Sequence, residues 1–432
     1  MLFTLRGHQS ELTALSFLPD HGGAPMLVSG DASGWLFLWD LKFRRPICSW
    51  QAHPPPQPTS GGILHLQSFV AEFELTPHFG SGTKTELRSI FLASQGRDNI
   101  VHIWSLDSIL HHSAKHLSPM QLQSALPGPA PIFSFPSNSL NFCRFALTHT
   151  PRTASTSTDI VFALPNLVDS ARIDIYNYTT HAYGVRSIGC ETSNRTNQGP
   201  TSLKTGIVMC MRFYHRSLGI VTVPCATADQ QIPPTQTLLL AAGYESGHVI
   251  IWNTSDGTQL GKMQLHSEPI MSIDIVGSEY AYQKDAHASL PIAGSWGVSV
   301  AADNQLTLFS TNFDINGMVA EHHKTELPST GTTDVRIQAD GRAIATAGWD
   351  GALRLFRPSK RLKCVSVVQV FKDTIRCMEY CPLSISTLLS QLLLQPCSGA
   401  SPLLSIPNKG STEEVPRAVI AVGSKDGRIC LL

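Results

Sequence analysis

The 432-residue sequence has no excess of charge, since 32 basic residues face 32 acidic ones, and no strongly basic tract breaks the balance. Direct nucleic-acid binding rests on a positive footprint, so this balance argues against it. Long apolar runs are also missing. The richest segment, LSISTLLSQLLLQP, is short and interrupted, well below the roughly 18 consecutive apolar residues of a membrane span. The first residues, MLFTLRGHQSEL, contain neither a basic n-region nor an apolar h-region, and the expectation is a chain that is not secreted. Ten cysteines occur without regular spacing, which fits a reducing compartment better than a disulfide framework. The closest pair, Cys377 and Cys381, reads as buried thiols in strands.

Catalytic motifs are scarce as well. There is no G-x-S-x-G elbow and no kinase signature set. GSGTKT at Gly80 departs from a phosphate loop because Thr83 separates Gly82 from Lys84 and no helix-forming run follows. HHSAKH from His111 puts His112 and His116 four apart, but no Glu or Cys accompanies them at ligand spacing, so a solvated loop is the better reading.

What the sequence does contain is a repeated pattern. LVSGDASGWLFLWD, Leu27 to Asp40, sets a small polar stretch, Ser29 to Gly34, before alternating bulky residues that end in Trp-Asp. A turn between two strands makes a hairpin, and an isolated hairpin is marginal in water. Further copies follow: LASQGRDNIVHIWSL from Leu92, ALPNLVDSARIDIYNY from Ala163, LLAAGYESGHVIIWNT from Leu239, VSVAADNQLTLFST from Val298, IATAGWDGALRLFRP from Ile344 and AVGSKDGRICLL from Ala421. Their last bulky positions are Trp39, Trp104, Tyr176, Trp252, Phe309, Phe356 and Leu432. Six positions earlier stand Ser33, Asp98, Ser170, Ser246, Asp303, Asp350 and Asp426.

Self-similarity of this kind resembles the WD-repeat propeller, whose units run to about 40–45 residues. The expected fold is all-β: one closed seven-bladed ring over residues 1–432. The strand at residues 1–7 adds to the last blade, about 371–432, and pairs two otherwise open edges. Seven units share the chain at roughly 62 residues each, so about 20 per unit fall in loops. The insertions are placed near 54–62, 76–86, 105–139, 190–205, 225–237 and 384–416.

In a WD blade a His can bond the turn Asp while a strand Ser or Thr links that pair to the Trp indole. His53, Ser94, Asp98 and Trp104 form a complete set of this kind. His8, Ser29, Ser33 and Trp39 lack only the Asp, and His266 opens the fifth unit. These histidines are read as structural, because buried polar groups need partners. No catalytic, cofactor or metal residue is assigned.

The N-terminal LRGHQSELTALSFL, LVSGDASGWLFLWDL followed by RRPICSWQAH, ATAGWDGALRLF, and the C-terminal AVGSKDGRICLL resemble the family of ASTRA-associated protein 1. The resemblance implies a nuclear, non-catalytic subunit of a chromatin-remodelling or chromatin-regulating assembly. Its implied partners are RuvB-like AAA+ ATPases, a large PI3-kinase-like protein and that protein's co-chaperone, with no direct nucleic acid and no membrane. Leu432 stands where the family pattern has an aromatic residue followed by Asp. Two other readings remain open, since one ring serves many functions. One is another WD-repeat adaptor, G-protein-β-like or a ubiquitin-ligase substrate receptor. The other is a propeller enzyme with a site at the channel mouth, for which convergent inner-strand carboxylates would speak. Asp274 and Glu379 are the inner-strand carboxylates noted, and they are read as pointing to opposite ends of the register.

Overall fold

The computed structural model describes residues 2–54, 62–75, 85–114, 128–140, 142–151, 158–189, 205–217, 236–276, 295–314, 317–318, 321–359, 362–383 and 418–432. Each repeat folds into a four-stranded antiparallel sheet, and seven such sheets form the blades of a propeller. Blade 1 is built from Leu12–Phe17, Met26–Asp31, Trp35–Asp40 and Arg45–Gln51. The innermost strands of blades 2 to 6 are Ile63–Leu75, Ala146–Pro151, Val208–Ser217, Ile270–Val276 and Thr332–Ile337. Blade 7 takes Ile375–Tyr380, Ile420–Ser424 and Arg428–Leu431, and its outer strand is Phe3–Arg6 from the other end of the chain. That strand pairs antiparallel, with Phe3 opposite Leu431 and Arg6 opposite Arg428. Inner strands pack on one another in order around the ring, and blade 7 returns to blade 1.

The second and third strands of each hairpin are apolar on both faces because each blade is covered on both sides. Seven buried apolar clusters result, each shared by two adjacent blades. Blades 7 and 1 share the cluster that holds Leu5, Ile429, Leu431 and Trp39. Among the described residues no helix is long and apolar enough to cross a membrane.

One irregularity recurs. In six of the seven sheets the inner strand bulges just after its first residue, so that Thr13, Leu64, Met209, Met271, Thr333 and Arg376 have no partner in the register. A bulge re-aims side chains and sharpens strand twist, and here it turns these residues toward the central channel that they line. The hairpin turns share a second device. Gly34 and Gly351 have φ of 83° and 76°, and a Cβ on Gly34 would lie 1.9 Å from the His53 carbonyl oxygen. Only glycine combines that backbone with so close an approach.

Segment 105–139 departs from its reading as an insertion. It contains the helix Asp107–Ala114 and the outer strand of blade 2, Pro131–Pro136. The outer strand is largely exposed, so it lacks the buried alternation that marks the inner strands. Thr85, Glu86, Ser105, Gln236 and Thr237 also belong to strands rather than insertions. The remaining insertion segments lie mostly outside the described residues, including all of 384–416.

Removing residues 1–7 takes away the pairing strand and Leu5 and leaves Arg428–Leu431 as an open edge. The truncated chain is expected to melt at a lower temperature and to self-associate in light scattering. A monomer that melts like the parent would show that closure does not depend on this strand.

Candidate functional site

Blade 2 brings its four marked residues together. His53 precedes the inner strand, Ser94 lies on the second strand, Asp98 on the hairpin turn and Trp104 on the third strand. The Trp104 indole lies 2.9 Å from Ser94 Oγ, Ser94 Oγ lies 2.8 Å from His53 Nε2, and His53 Nδ1 lies 2.9 and 3.0 Å from the Asp98 oxygens. An indole only donates and a carboxylate only accepts, so with a neutral imidazole the direction of the chain follows. Trp104 donates to Ser94, the serine hydroxyl donates to His53 Nε2, and His53 Nδ1–H donates to Asp98. The serine oxygen is clamped between two rings, and His53 and Ser94 are fully buried. The set is a brace that ties loop, strand and turn.

Blade 1 contains the same brace with one member corrected. The carboxylate belongs to Asp31, not to the turn position Ser33. His8 Nδ1 lies 2.7 Å from Asp31 Oδ2, His8 Nε2 lies 2.6 Å from Ser29 Oγ, and Trp39 donates to Ser29 at 2.7 Å. Ser33 is exposed and contributes only its backbone N–H, donated to Asp31 Oδ1 at 2.9 Å. Counted from the tryptophan, Asp31 stands where blade 2 has Gly96, and a Cβ on Gly96 would lie 2.2 Å from His53 Nδ1. One imidazole nitrogen can therefore be reached from the end of the strand as well as from the turn. The set is complete without an Asp at 33.

Blade 5 has three of the four members: His266 lies 2.9 Å from both Asp303 Oδ2 and Ser299 Oγ, with Phe309 in place of the indole. Blade 4 substitutes a phenol, with Trp252 donating to Tyr244 at 3.2 Å. In blade 6 Asp350 accepts from Arg354 and from Ser329 Oγ. His102 stands beside His53 and Asp98, with ligand atoms of the three within 4.8 Å of one another, but both His53 nitrogens are already engaged by Ser94 and Asp98 within the brace. His112 lies in the helix Asp107–Ala114, whereas His116 and the glycine-lysine stretch at 80–84 lie outside the described residues.

The channel contains what linear reading missed. Asp274 and Glu379 do not point apart. Each is the fifth residue of its inner strand, at the same level as Arg212 in blade 4 and Arg336 in blade 6. Around the channel these four alternate in sign. Arg212 Nε contacts Asp274 at 2.9 Å, and Arg336 Nε contacts Glu379 at 3.4 Å. The fully buried Asp334 lies two residues before Arg336 and bonds it at 2.6 Å; it also meets Arg144 of the blade 3 entry at 3.0 Å and Ser272 Oγ at 2.7 Å. Burial alone would push the Asp334 carboxyl up, but Arg336 and Arg144 outweigh it and hold it below the usual carboxylate range. Burial raises Glu379 despite Arg336 and Arg212. His65, also on the channel, is pushed well down by burial and then by Arg144, Arg336 and Arg212. The signal was available in an alignment of the inner strands, where position five carries Arg212, Asp274, Arg336 and Glu379.

Comparison with known proteins agrees with the repeat architecture. A family model for the WD domain, G-beta repeat, matches residues 1–40. ASTRA-associated protein 1 of Aspergillus flavus is 27% identical over 414 residues, covering 86% of this chain and 81% of the relative. Its namesake in Schizosaccharomyces pombe is 25% identical over 400 residues, covering 88% and 93%. The chain is thus similar, over most of its length, to proteins named ASTRA-associated protein 1. A mouse protein named guanine nucleotide-binding protein subunit beta-like protein 1 is also similar, at 24% identity over 88% of this chain and 89% of its own length.

Trp104→Ala is expected to cost about 3–5 kcal/mol, from the cavity and from the lost indole donor. Asp31→Ala leaves His8 without its acceptor and is expected to cost about 1–3 kcal/mol, whereas Ser33→Ala stays within about 0.5 kcal/mol. Denaturant melts of the three variants check this, and equal effects of Asp31→Ala and Ser33→Ala would refute the corrected brace.

The Arg354 guanidinium, helped by Ser329, holds the Asp350 carboxyl down at about 2. A carboxyl depressed in the folded state contributes stability that is complete above its unfolded pKa of about 3.9 and is lost as pH falls toward the folded value. Asp350→Asn should therefore flatten the acid limb of the melting profile between about pH 4 and pH 2 and lower the melting temperature at neutral pH.

Proposed function

We propose that the protein is a non-catalytic scaffold subunit of a nuclear ASTRA-type assembly, acting in chromatin remodelling and in assembly of PI3-kinase-like kinases. The observation that carries this reading is the similarity to proteins named ASTRA-associated protein 1 over 86–88% of the chain. The proposed partners are RuvB-like AAA+ ATPases, the large PI3-kinase-like protein and its co-chaperone.

The surface supports a role in protein binding. Hairpin turns and the links that enter the inner strands lie at the same end of every blade, because adjacent strands are antiparallel. That end carries Trp35, Leu140, Phe142, Leu167, Val168 and Trp349 as exposed large apolar side chains, with Val168 95% and Leu140 78% exposed. Exposed apolar groups gathered on one face favour contact with another protein. The braces, by contrast, are buried and bonded within the blades, which suits a rigid platform better than a nucleophile.

A second reading, a G-protein-β-like adaptor, draws on the mouse relative and its name. Affinity purification of the tagged full chain from nuclear extract, followed by mass spectrometry, separates the two. The scaffold reading expects the RuvB-like ATPases and the co-chaperone in the eluate. Recovery of a small helical Gγ-type subunit without them would favour the adaptor.

A further inference from the structure

We propose that the central channel is a binding site for a compact, multiply charged anion bearing phosphate groups. The inference is independent of the scaffold reading. It begins with the cavity, a space of about 470 Å³ walled by inner-strand residues and within the usual range of about 300–1,000 Å³ for small-molecule sites.

Its charged lining is one-sided. Arg97, Arg144, Arg212, Arg336 and Arg376 line it, and Glu11 is the one carboxylate among the lining residues. Of the other carboxylates of the network, Glu379 is 35% exposed and pairs with Arg336, and the remaining two are withdrawn from the cavity. Asp274 and Asp334 are buried, with side chains 4% and 0% exposed, and they pin Arg212 and Arg144 from outside the cavity wall. Arg336 spends Nε on Glu379 and one Nη on Asp334, Ser272 and the Val335 carbonyl, whereas the other guanidinium groups are held in place without being used up. Arg212 and Arg376 meet their carboxylates through Nε, which leaves both Nη groups of each as donors. Arg144 meets Asp334 through a single Nη. Arg97 has no carboxylate partner among the described residues; its guanidinium lies over the Phe142 ring, 4.8 Å from the centroid.

Two further observations agree. Thr333 Oγ1, on a residue that lines the cavity, is buried and has no hydrogen-bond partner. His65 is lowered first by burial and then by three of the lining arginines, as expected inside a positive field. Several guanidinium forks with spare N–H groups in the wall of one cavity match phosphate oxygens in pairs, which single ammonium groups do not. Five arginines from the turns, entry links and inner strands of blades 2, 3, 4, 6 and 7 exceed what one phosphate can use, so the ligand carries several.

The test uses the full chain with sodium tripolyphosphate and myo-inositol hexakisphosphate as probes, followed by thermal melting and titration calorimetry. Sodium sulfate at matched ionic strength and an oligoglutamate peptide are run alongside. The expected result is a saturable rise in melting temperature with one site per chain for at least one probe, and none with sulfate. Arg97→Gln removes a ring contact but no carboxylate pairing, so it should lower the melting temperature of the unliganded protein less than Arg212→Gln does and weaken binding about tenfold. Arg212→Gln should weaken it at least as much. The proposal is overturned if neither probe gives saturable stabilisation, or if sulfate matches them. It is equally overturned if both variants bind like the parent, or if only the oligoglutamate peptide binds.

Discussion

One short ladder holds the ring shut. Phe3–Arg6 and Arg428–Leu431 are separated by nearly the whole chain, and their antiparallel pairing is the one place where a blade is assembled from both ends. Every other blade can form from consecutive residues. The consequences extend past the ladder itself. Leu5 seats in the cluster between blades 7 and 1, and Gly7 follows so closely that a Cβ there would lie 2.9 Å from the Trp39 ring. His8, two residues beyond the strand, then bonds Asp31 and Ser29. The strand that closes the ring thus also places the histidine of the first brace. A few ladder bonds contribute only about 0.5–1.5 kcal/mol each, so closure draws its strength from the apolar cluster and brace that the ladder sets in register.

The channel imposes a different constraint. Buried charges are tolerated only when paired, because desolvation otherwise exceeds any gain. Here pairing requires neighbours in the ring: Arg212 of blade 4 needs Asp274 of blade 5, and Arg336 of blade 6 needs Glu379 of blade 7. Arg144 reaches from the blade 3 entry to Asp334 of blade 6, which links non-adjacent blades. The recurrent inner-strand bulge makes such contacts possible, since it fixes the level at which every following side chain meets the channel. Apolar packing between blades is non-directional and would accept small slips. The ion pairs do not.

How much of this is legible in a linear sequence follows from the range of each interaction. The hairpins are local, so Trp39, Trp104 and Trp252 show the blades at a constant distance from their turns. The blade 2 brace spans 52 positions at most, from His53 to Trp104, and its members are recognisable because each sits at a fixed offset from the tryptophan. Asp31 escaped this reading because its carboxylate enters from the strand, two residues before the turn position occupied by Ser33. The channel network was not readable from any one repeat. The inner strands of blades 4 to 7 each contribute one or two charged residues, which only the closed ring brings within bonding distance. The outer strand of blade 2 was hidden for the opposite reason: it is exposed, and Pro131–Pro136 looks like loop when burial is the criterion.

Braces and channel handle buried polarity in contrasting ways. In the blade 1 and blade 2 braces donors and acceptors are matched from indole to carboxylate, so the set closes on itself and its output is rigidity. In the channel the carboxylates are fewer than the arginines, Asp334 serves both Arg144 and Arg336, and burial raises Glu379 toward its neutral form. The surplus is therefore positive and faces the cavity. A ring whose sole covalently distant joint is a four-residue ladder gains from any ligand that contacts several blades together, because a ligand binding only the closed form stabilises it in proportion to RT ln(1 + [L]/Kd). An anion held by Arg144, Arg212, Arg336 and Arg376 would bridge blades 3, 4, 6 and 7, and so would brace the ring from its axis where the terminal strand braces it from the rim.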